Sequence, residues 1–324
     1  MRHTFGAAVA AAIVALSGPA NATELRLLSS WDSSYTAVPN IVGVFVDSVA
    51  EASGGDTTIT MTGPEAVPPF EQLQPVSLGV FDLLFTHGGY HSGETGISTA
   101  IDAIEGDPTK RRESGVWDWL DTYYQENHNL KLISIPTALT GYQILLRQPM
   151  VDGKLTGLKV RGTSVYHGLI EALGGAPVIL PAGEMYAAAE RGIVDGISWP
   201  AVGAIGFKLC EVTPNMVRPS FGAVSYLIFM NLDKFNALDE AEQKLLLSEG
   251  EKLELTTVDT FSQILADEDA QMIACGARVD EQSEEWAAAA QKAFADKAWS
   301  MAAEQSGAKA EEFHEFAREK GMTE

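Results

Sequence analysis

Apolar positions along this chain fall into two periods. Leu25–Ser29 is a short apolar run, and Thr57–Thr62 is β-branched and alternates, so both predict strands. Between them, Val42, Phe45, Val46 and Val49 recur at helical spacing over Ile41–Ala52, and Gly54-Gly55 stops the helix. The intervening loop, SSWDSSYTAVPN, is polar but carries Trp31 and Tyr35. Phe81–Phe85 predicts a further strand, and the THGGYHSG that follows has the glycines a backbone needs to turn beside a ligand. Strands are predicted again at Leu130–Ile135, Tyr142–Arg147 and Leu158–Arg161, with helices between them. Such alternation predicts an α/β fold with largely parallel strands.

The second half of the chain is mostly helical. Asp239 and Glu242 have capping-box spacing, and helical periodicity runs on to about Ile273, interrupted only by Gly250. That is roughly 50 Å of helix, longer than one small domain. Glu281–Lys320 is rich in Ala and Glu, with Trp286 and Trp299 as packing anchors, while Trp117 and Trp119 are assigned to core or surface. There is no internal repeat and no low-complexity linker, so two domains would have to be joined by ordered crossings. At the N-terminus, Arg2 and His3 precede an apolar run from Phe5 to Leu16, and Ala20-Asn21-Ala22 has the form of a cleavage site. Residues 1–22 are therefore expected to be a signal peptide cleaved after Ala22, with a soluble periplasmic chain beginning at Thr23. No later run reaches the ~18 apolar residues of a membrane-spanning helix, so no direct membrane insertion is expected.

Charge narrows the partners. A formal net charge of −22 argues against nucleic acid and against adsorption to anionic membranes, but a local site for a small anion is compatible with it. G-x-S-x-G, H-E-x-x-H, Walker A and the dinucleotide fingerprint are all absent, so no catalytic residue and no cofactor is expected. His87 and His91 fall on a glycine-rich loop rather than one helix face, and no metal site is assigned to them. Cys210 and Cys275 either pair, in an oxidising compartment, or remain buried thiols.

The most informative stretch is Lys154–Pro200, which reads as strand, helix, strand, helix, strand. Arg161 closes the first of these strands. Thr163 is a candidate N-cap for the helix Ser164–Leu173, which stops at Gly174-Gly175. Ligands of open α/β sheets bind at that edge, and a guanidinium matches a carboxylate with a planar fork. Spacing alone leaves Arg161 open between an inter-element salt bridge and a ligand anchor.

Several short motifs in register resemble the solute-binding proteins of tripartite ATP-independent periplasmic (TRAP) transporters, of the dicarboxylate-binding-protein type. Gly157-Leu158-Lys159-Val160-Arg161 is similar to that family's G-x-K-x-R, Glu184–Ala189 to its E-x-Y-x-A helix, and Gly192–Gly196 to its G-x-V-D-G. Gly54-Gly55 and Phe229–Phe235 also fit, so the likeness runs through the mature chain in order. It implies an α/β fold of two lobes, the periplasmic-binding-protein fold, with a long helix bracing them. Residues 23–138 with 225–264 would form the first lobe, and 139–224 with 265–324 the second. It also implies that Arg161 pairs with a ligand carboxylate in the cleft, that no chemistry is done, and that the ligand passes to integral membrane transporter subunits.

This sequence departs from the family pattern after V-D-G, where Ser198-Trp199-Pro200 stands, and in the first loop, where Trp31 replaces polar residues. Where relatives that bind sialic acid have a second arginine, the chain has Gly141 followed by Tyr142; Arg147, on the strand, is read as structural. Trp31 and Trp199 flanking one arginine suggest an aromatic or hydroxy/keto monocarboxylate, with His87, Tyr90 and Ser198 hydrogen-bonding its hydroxyl or keto group and Tyr142 completing the site. Competing readings are a binding protein of an ATP-driven importer, a sensory partner that presents its ligand to a receptor, and a periplasmic enzyme.

Overall fold

The computed structural model describes residues 22–324, so residues 1–21 of the expected signal peptide 1–22 lie outside the described residues. Two mixed sheets organise the rest. The first contains β1 (Thr23–Ser29), β2 (Thr57–Thr62), β3 (Leu83–His87), β4 (Leu130–Ser134), β5 (Thr137–Ala138) and β11 (Val224–Asn231), in the order β2-β1-β3-β11-β4 with β5 paired to β11. The second contains β6 (Tyr142–Leu146), β7 (Lys159–Arg161), β8 (Ala176–Val178), β9 (Gly196–Pro200), β10 (Asn215–Arg218) and β12 (Arg278–Glu281), in the order β12-β10-β6-β9-β7-β8. Every residue of β3, β6, β9 and β11 is buried, because helices cover both faces of each sheet.

The expectation of largely parallel strands needs correction. β1 runs parallel to β2 and β3, and β7 to β8 and β9, but β11 is antiparallel to β3, β4 and β5, and β6 to β9 and β10. The reason is the crossings. The chain leaves the first sheet after β5 and enters the second as β6; it returns after β10 and enters the first as β11. Each delivered strand arrives against the local direction. The two crossings are tied side by side, with Tyr142 N donating to Phe221 O at 2.6 Å and Phe221 N to Tyr142 O at 3.0 Å. β3 also begins two residues later than its apolar run suggests. Its last residues, Thr86 and His87, are polar but buried and hydrogen-bonded, which residue type alone does not reveal.

The bracing helix is Glu240–Ala274, 35 residues without a break. Its N-terminus has the full capping box: Asp239 accepts from Ala241 N and Glu242 N, and Glu242 accepts from Asp239 N. Gly250 does not interrupt it. A Cβ there would come within 2.4 Å of Ile133 O, so glycine lets the helix lie directly on β4. Two buried carboxylates then pin the helix. Glu254 accepts from Ile135 N (2.6 Å), Trp117 Nε1 (3.0 Å) and Arg112 Nε (2.6 Å) on the first-sheet side. Glu268 accepts from Gly203 N (2.7 Å) and Ile205 N (3.0 Å) on the second-sheet side. Residues 254 and 268 are separated by about 21 Å of helix at 1.5 Å per residue. A disulfide joins Cys210 to Cys275 just past the helix end, which resolves the cysteine alternatives in favour of pairing.

The C-terminal segment contacts elements on both sides of the molecule. The helix Glu284–Ser306 packs on elements of both sides, and Ala308–Glu319 on the first-sheet side. The aromatic surface offered there decides it: Phe313 stacks on Trp119 at 4.5 Å and Trp299 on His314 at 4.1 Å. Trp286 anchors the other end, donating from Nε1 to Gly153 O at 2.9 Å.

Alanine is a better helix former than glycine by about 1 kcal/mol. Gly250→Ala is nonetheless expected to destabilise the protein, by about 1–3 kcal/mol, because the methyl group meets a backbone carbonyl. Urea unfolding checks the sign; a stabilised variant would contradict the packing of this helix on β4.

Candidate functional site

Between the two sheets lies a cavity lined from both. The first-sheet side contributes Trp31, Tyr35, His87, Tyr90, Val224 and Tyr226; the second-sheet side contributes Tyr142, Arg161, Thr163, Tyr166, Trp199 and Pro200. Arg161 ends β7 and is fully buried. Its Nε and Nη2 both donate to Leu180 O, at 2.9 and 2.7 Å, and its Nη1 donates to Ser198 O at 3.4 Å. Among the described residues no carboxylate lies within ion-pair distance of it. A guanidinium has five N–H groups. Leu180 O takes Nε–H and one Nη2–H, and Ser198 O one Nη1–H, leaving one N–H on each terminal nitrogen, enough for the two oxygens of one carboxylate.

Trp199 stands beside Arg161 on β9, its ring centroid 5.3 Å from the guanidinium carbon, and packs edge-on against Tyr35 at 4.9 Å. Its Nε1–H is buried without a protein acceptor. The loop behind it closes tightly because Gly203 has a φ of +104° and a Cβ there would come within 2.3 Å of the Tyr35 ring. Glu268 of the bracing helix holds that loop by its backbone. Burial pushes the Glu268 carboxyl up in pKa, and those backbone donors pull it back. On the opposite wall Trp31 donates from Nε1 to Tyr90 OH at 3.1 Å and lies edge-on to Phe85, Tyr90 and Tyr226. The Tyr35 and Tyr226 hydroxyls meet at 2.6 Å.

Residues singled out in the sequence occupy different places. Arg161, Trp199, Trp31, Tyr90, His87 and Tyr142 all line the cavity. His87 and Tyr142 do not offer it free protons. Gly89 N donates to His87 Nδ1 at 3.0 Å, which assigns the neutral imidazole with its proton on Nε2. That nitrogen and the Tyr142 hydroxyl both bond Asp102 Oδ2 at 2.7 Å. Ser198 is not in the lining. Neighbouring strand residues face opposite ways, and Trp199 takes the cavity side, so Ser198 contributes its carbonyl to Arg161 while its hydroxyl is buried without a partner. Arg147 is exposed at the end of β6. Thr163 sits at the N-cap position of its helix without making a side-chain capping bond, and lines the cavity instead.

Tyr35, Tyr166, Tyr226 and Asp102 escaped the sequence reading. Tyr35 had a signal, since it shares the Trp31 loop; Tyr226 joins Tyr35 across 191 residues, and Asp102 joins His87 and Tyr142 across 15 and 40. The Tyr166 hydroxyl is pushed well up in pKa by burial, an effect that the positive charge of Arg161 opposes.

Known proteins resemble the chain along most of its length. The DctP family profile, bacterial extracellular solute-binding protein, family 7, matches residues 113–305. The outer membrane transporter protein TsaT of Comamonas testosteroni is 23% identical over 218 residues, 64% of either chain, so the match spans less than two thirds of that relative. The monocarboxylate 2-oxoacid-binding periplasmic protein all3028 of Nostoc sp. is 24% identical over 292 residues, 82% of this chain and 76% of its own. Among solved structures, a TRAP periplasmic solute binding protein from Desulfovibrio salexigens with bound orotic acid superposes with a TM-score of 0.81 at 18% identity, covering 92% of this chain and 98% of the other. That likeness carries the two-lobed fold.

His91, directly after Tyr90, is buried, with its Nε2 2.7 Å from Thr86 Oγ1. Burial, and next the neighbouring His87, lower its pKa from 6.5 to about 3. Between those values the unfolded chain takes up a proton that the folded protein does not, so stability falls as pH drops below about 6.5. Relative to wild type, His91→Gln is expected to lose roughly 2 kcal/mol less on going from pH 7 to pH 5. Denaturant unfolding at both pH values checks this, and parallel pH dependences would contradict it.

Proposed function

Because this chain belongs to the bacterial extracellular solute-binding proteins of family 7, we propose that it captures a small organic monocarboxylate between its lobes, with the carboxylate seated end-on against Arg161. The observation that carries this reading is a fully buried guanidinium with two N–H groups unspent and no protein carboxylate beside it. Such a charge is expensive to bury alone and is relieved by an anion that uses the remaining donors.

The lining supports an apolar or aromatic body. Among the described residues Arg161 is the only lysine or arginine in it, and aromatic rings make up most of the rest. A hydroxyl or keto group on that acid would be met by Tyr90, Tyr166 or Thr163, in place of His87 and Ser198. The names of the relatives point the same way, one being a 2-oxoacid binder and one holding orotic acid. On this reading the protein works in the periplasm after cleavage at Ala22, performs no chemistry, and hands its ligand to the membrane subunits of a TRAP transporter. Adjacent genes for multi-span subunits would support that delivery; an adjacent ATPase gene would favour an ATP-driven importer.

A thermal-shift screen against carboxylates is expected to raise the melting temperature with compact monocarboxylates, since ligand at 100 times its Kd adds about 2.7 kcal/mol. Shifts by polyhydroxylated sugar acids alone would overturn the apolar-pocket reading. Calorimetry on Arg161→Ala with the best ligand is expected to show at least a hundredfold loss of affinity, within the 2–5 kcal/mol lost when one member of a buried charge pair is removed. Unchanged affinity would remove Arg161 from the site.

A further inference from the structure

The proposed site contains a second charge that does not touch the cavity. Asp102 lies in the turn Ile101–Ala103, with its side chain 2% exposed. Its Oδ1 accepts from Ser225 N at 2.9 Å, and its Oδ2 accepts from His87 Nε2 and Tyr142 OH, each at 2.7 Å. His87 and Tyr142 line the cavity, so the carboxylate stands one side chain behind its wall. The neutral tautomer fixed on His87 by Gly89 N leaves the group of three with one net negative charge.

We propose that Asp102 is a specificity-determining residue: its charge admits a monoanion at Arg161 and rejects a ligand that carries a second carboxylate toward the His87–Tyr142 wall. This rests on the reading of Arg161 as the carboxylate anchor. One carboxylate neutralises Arg161. A second would meet a buried negative charge instead of a donor, because the His87 and Tyr142 protons are already directed at Asp102. The field of Asp102 reaches into the lining: after burial, which dominates, it is among the influences raising the Tyr142, Tyr166 and Tyr226 hydroxyls in pKa. Tyr166 feels Arg161 and Asp102 with opposite sign. The buried cation Arg111, which donates to Ser225 Oγ at 3.4 Å, also feels Asp102, but it feels Glu254 more strongly. Asp102 also borders a groove that Gln291, Trp299 and His314 help to line, yet almost none of its side chain is open to solvent there.

The test compares Kd values for saturated mono- and dicarboxylates of matched length, three to six carbons, in wild type, Asp102→Asn and Asp102→Glu. Wild type is expected to bind each dicarboxylate at least about a hundredfold more weakly than its monocarboxylate. Asp102→Asn is expected to narrow that ratio tenfold or more, a 1.4 kcal/mol change in discrimination, while Asp102→Glu retains the wild-type ratio. A purely structural role would weaken both ligands together and leave the ratio unchanged in Asp102→Asn, and that result would overturn the proposal. The amide NH₂ of asparagine would face two donors; should that variant not fold, Asp102→Ser removes the charge and leaves room for a water to accept their bonds, and the same ratio is read. If wild type binds no carboxylate at all, the Arg161 reading fails and this inference with it. If wild type binds monocarboxylates and the ratio does not move, only the role of Asp102 is lost.

Discussion

The arrangement depends on one buried positive charge. The Arg161 side chain is fully enclosed, and backbone carbonyls hold it in place without neutralising it. A carbonyl orients a guanidinium through its dipole but supplies no counter-charge, so the desolvation cost is only partly offset. The Nε side is spent on Leu180, and the free donors lie on the terminal nitrogens. With a net charge of −22 on the whole chain, the site is a local reversal of the surrounding field.

Everything around that charge fixes its position. β7 brings Arg161 to the strand end, Trp199 from β9 lies against the guanidinium, and the loop at Gly203 presses Tyr35 and Trp199 together. The bracing helix serves both lobes through buried carboxylates: Glu254 gathers Ile135, Trp117 and Arg112, and Glu268 gathers the loop behind Trp199. One rigid element thus links the packing of the first sheet to the wall of the cavity. The paired crossings at Tyr142 and Phe221 run beside it, and Tyr142 is itself a wall residue.

Local signals made much of this legible in the sequence. The strand Thr57–Thr62, the Asp239–Glu242 capping box and the placement of Arg161 at a strand end follow from periodicity and capping chemistry, which act over a few residues. Strand direction was less accessible, because whether a strand enters parallel or antiparallel depends on which sheet the chain has just left. The side on which Ser198 faces is set by register, and a shift of one residue reverses it. Tyr226 and Asp102 carried no local signal: Tyr226 joins the site through Tyr35, far away along the chain, and Asp102 through His87 and Tyr142, which the fold brings to it. The same holds for His87, whose residue type suggests a ligand donor but whose proton is directed at Asp102.

The central claim is that a ligand carboxylate completes the Arg161 fork. A crystal structure of the complex with the tightest-binding carboxylate measures this most directly. The expected result is the two carboxylate oxygens at about 2.7–2.9 Å from Nη1 and Nη2 of Arg161, with the Leu180 contacts retained. A ligand whose carboxylate lies elsewhere in the cleft, with Arg161 still bonded only to backbone carbonyls, would contradict it.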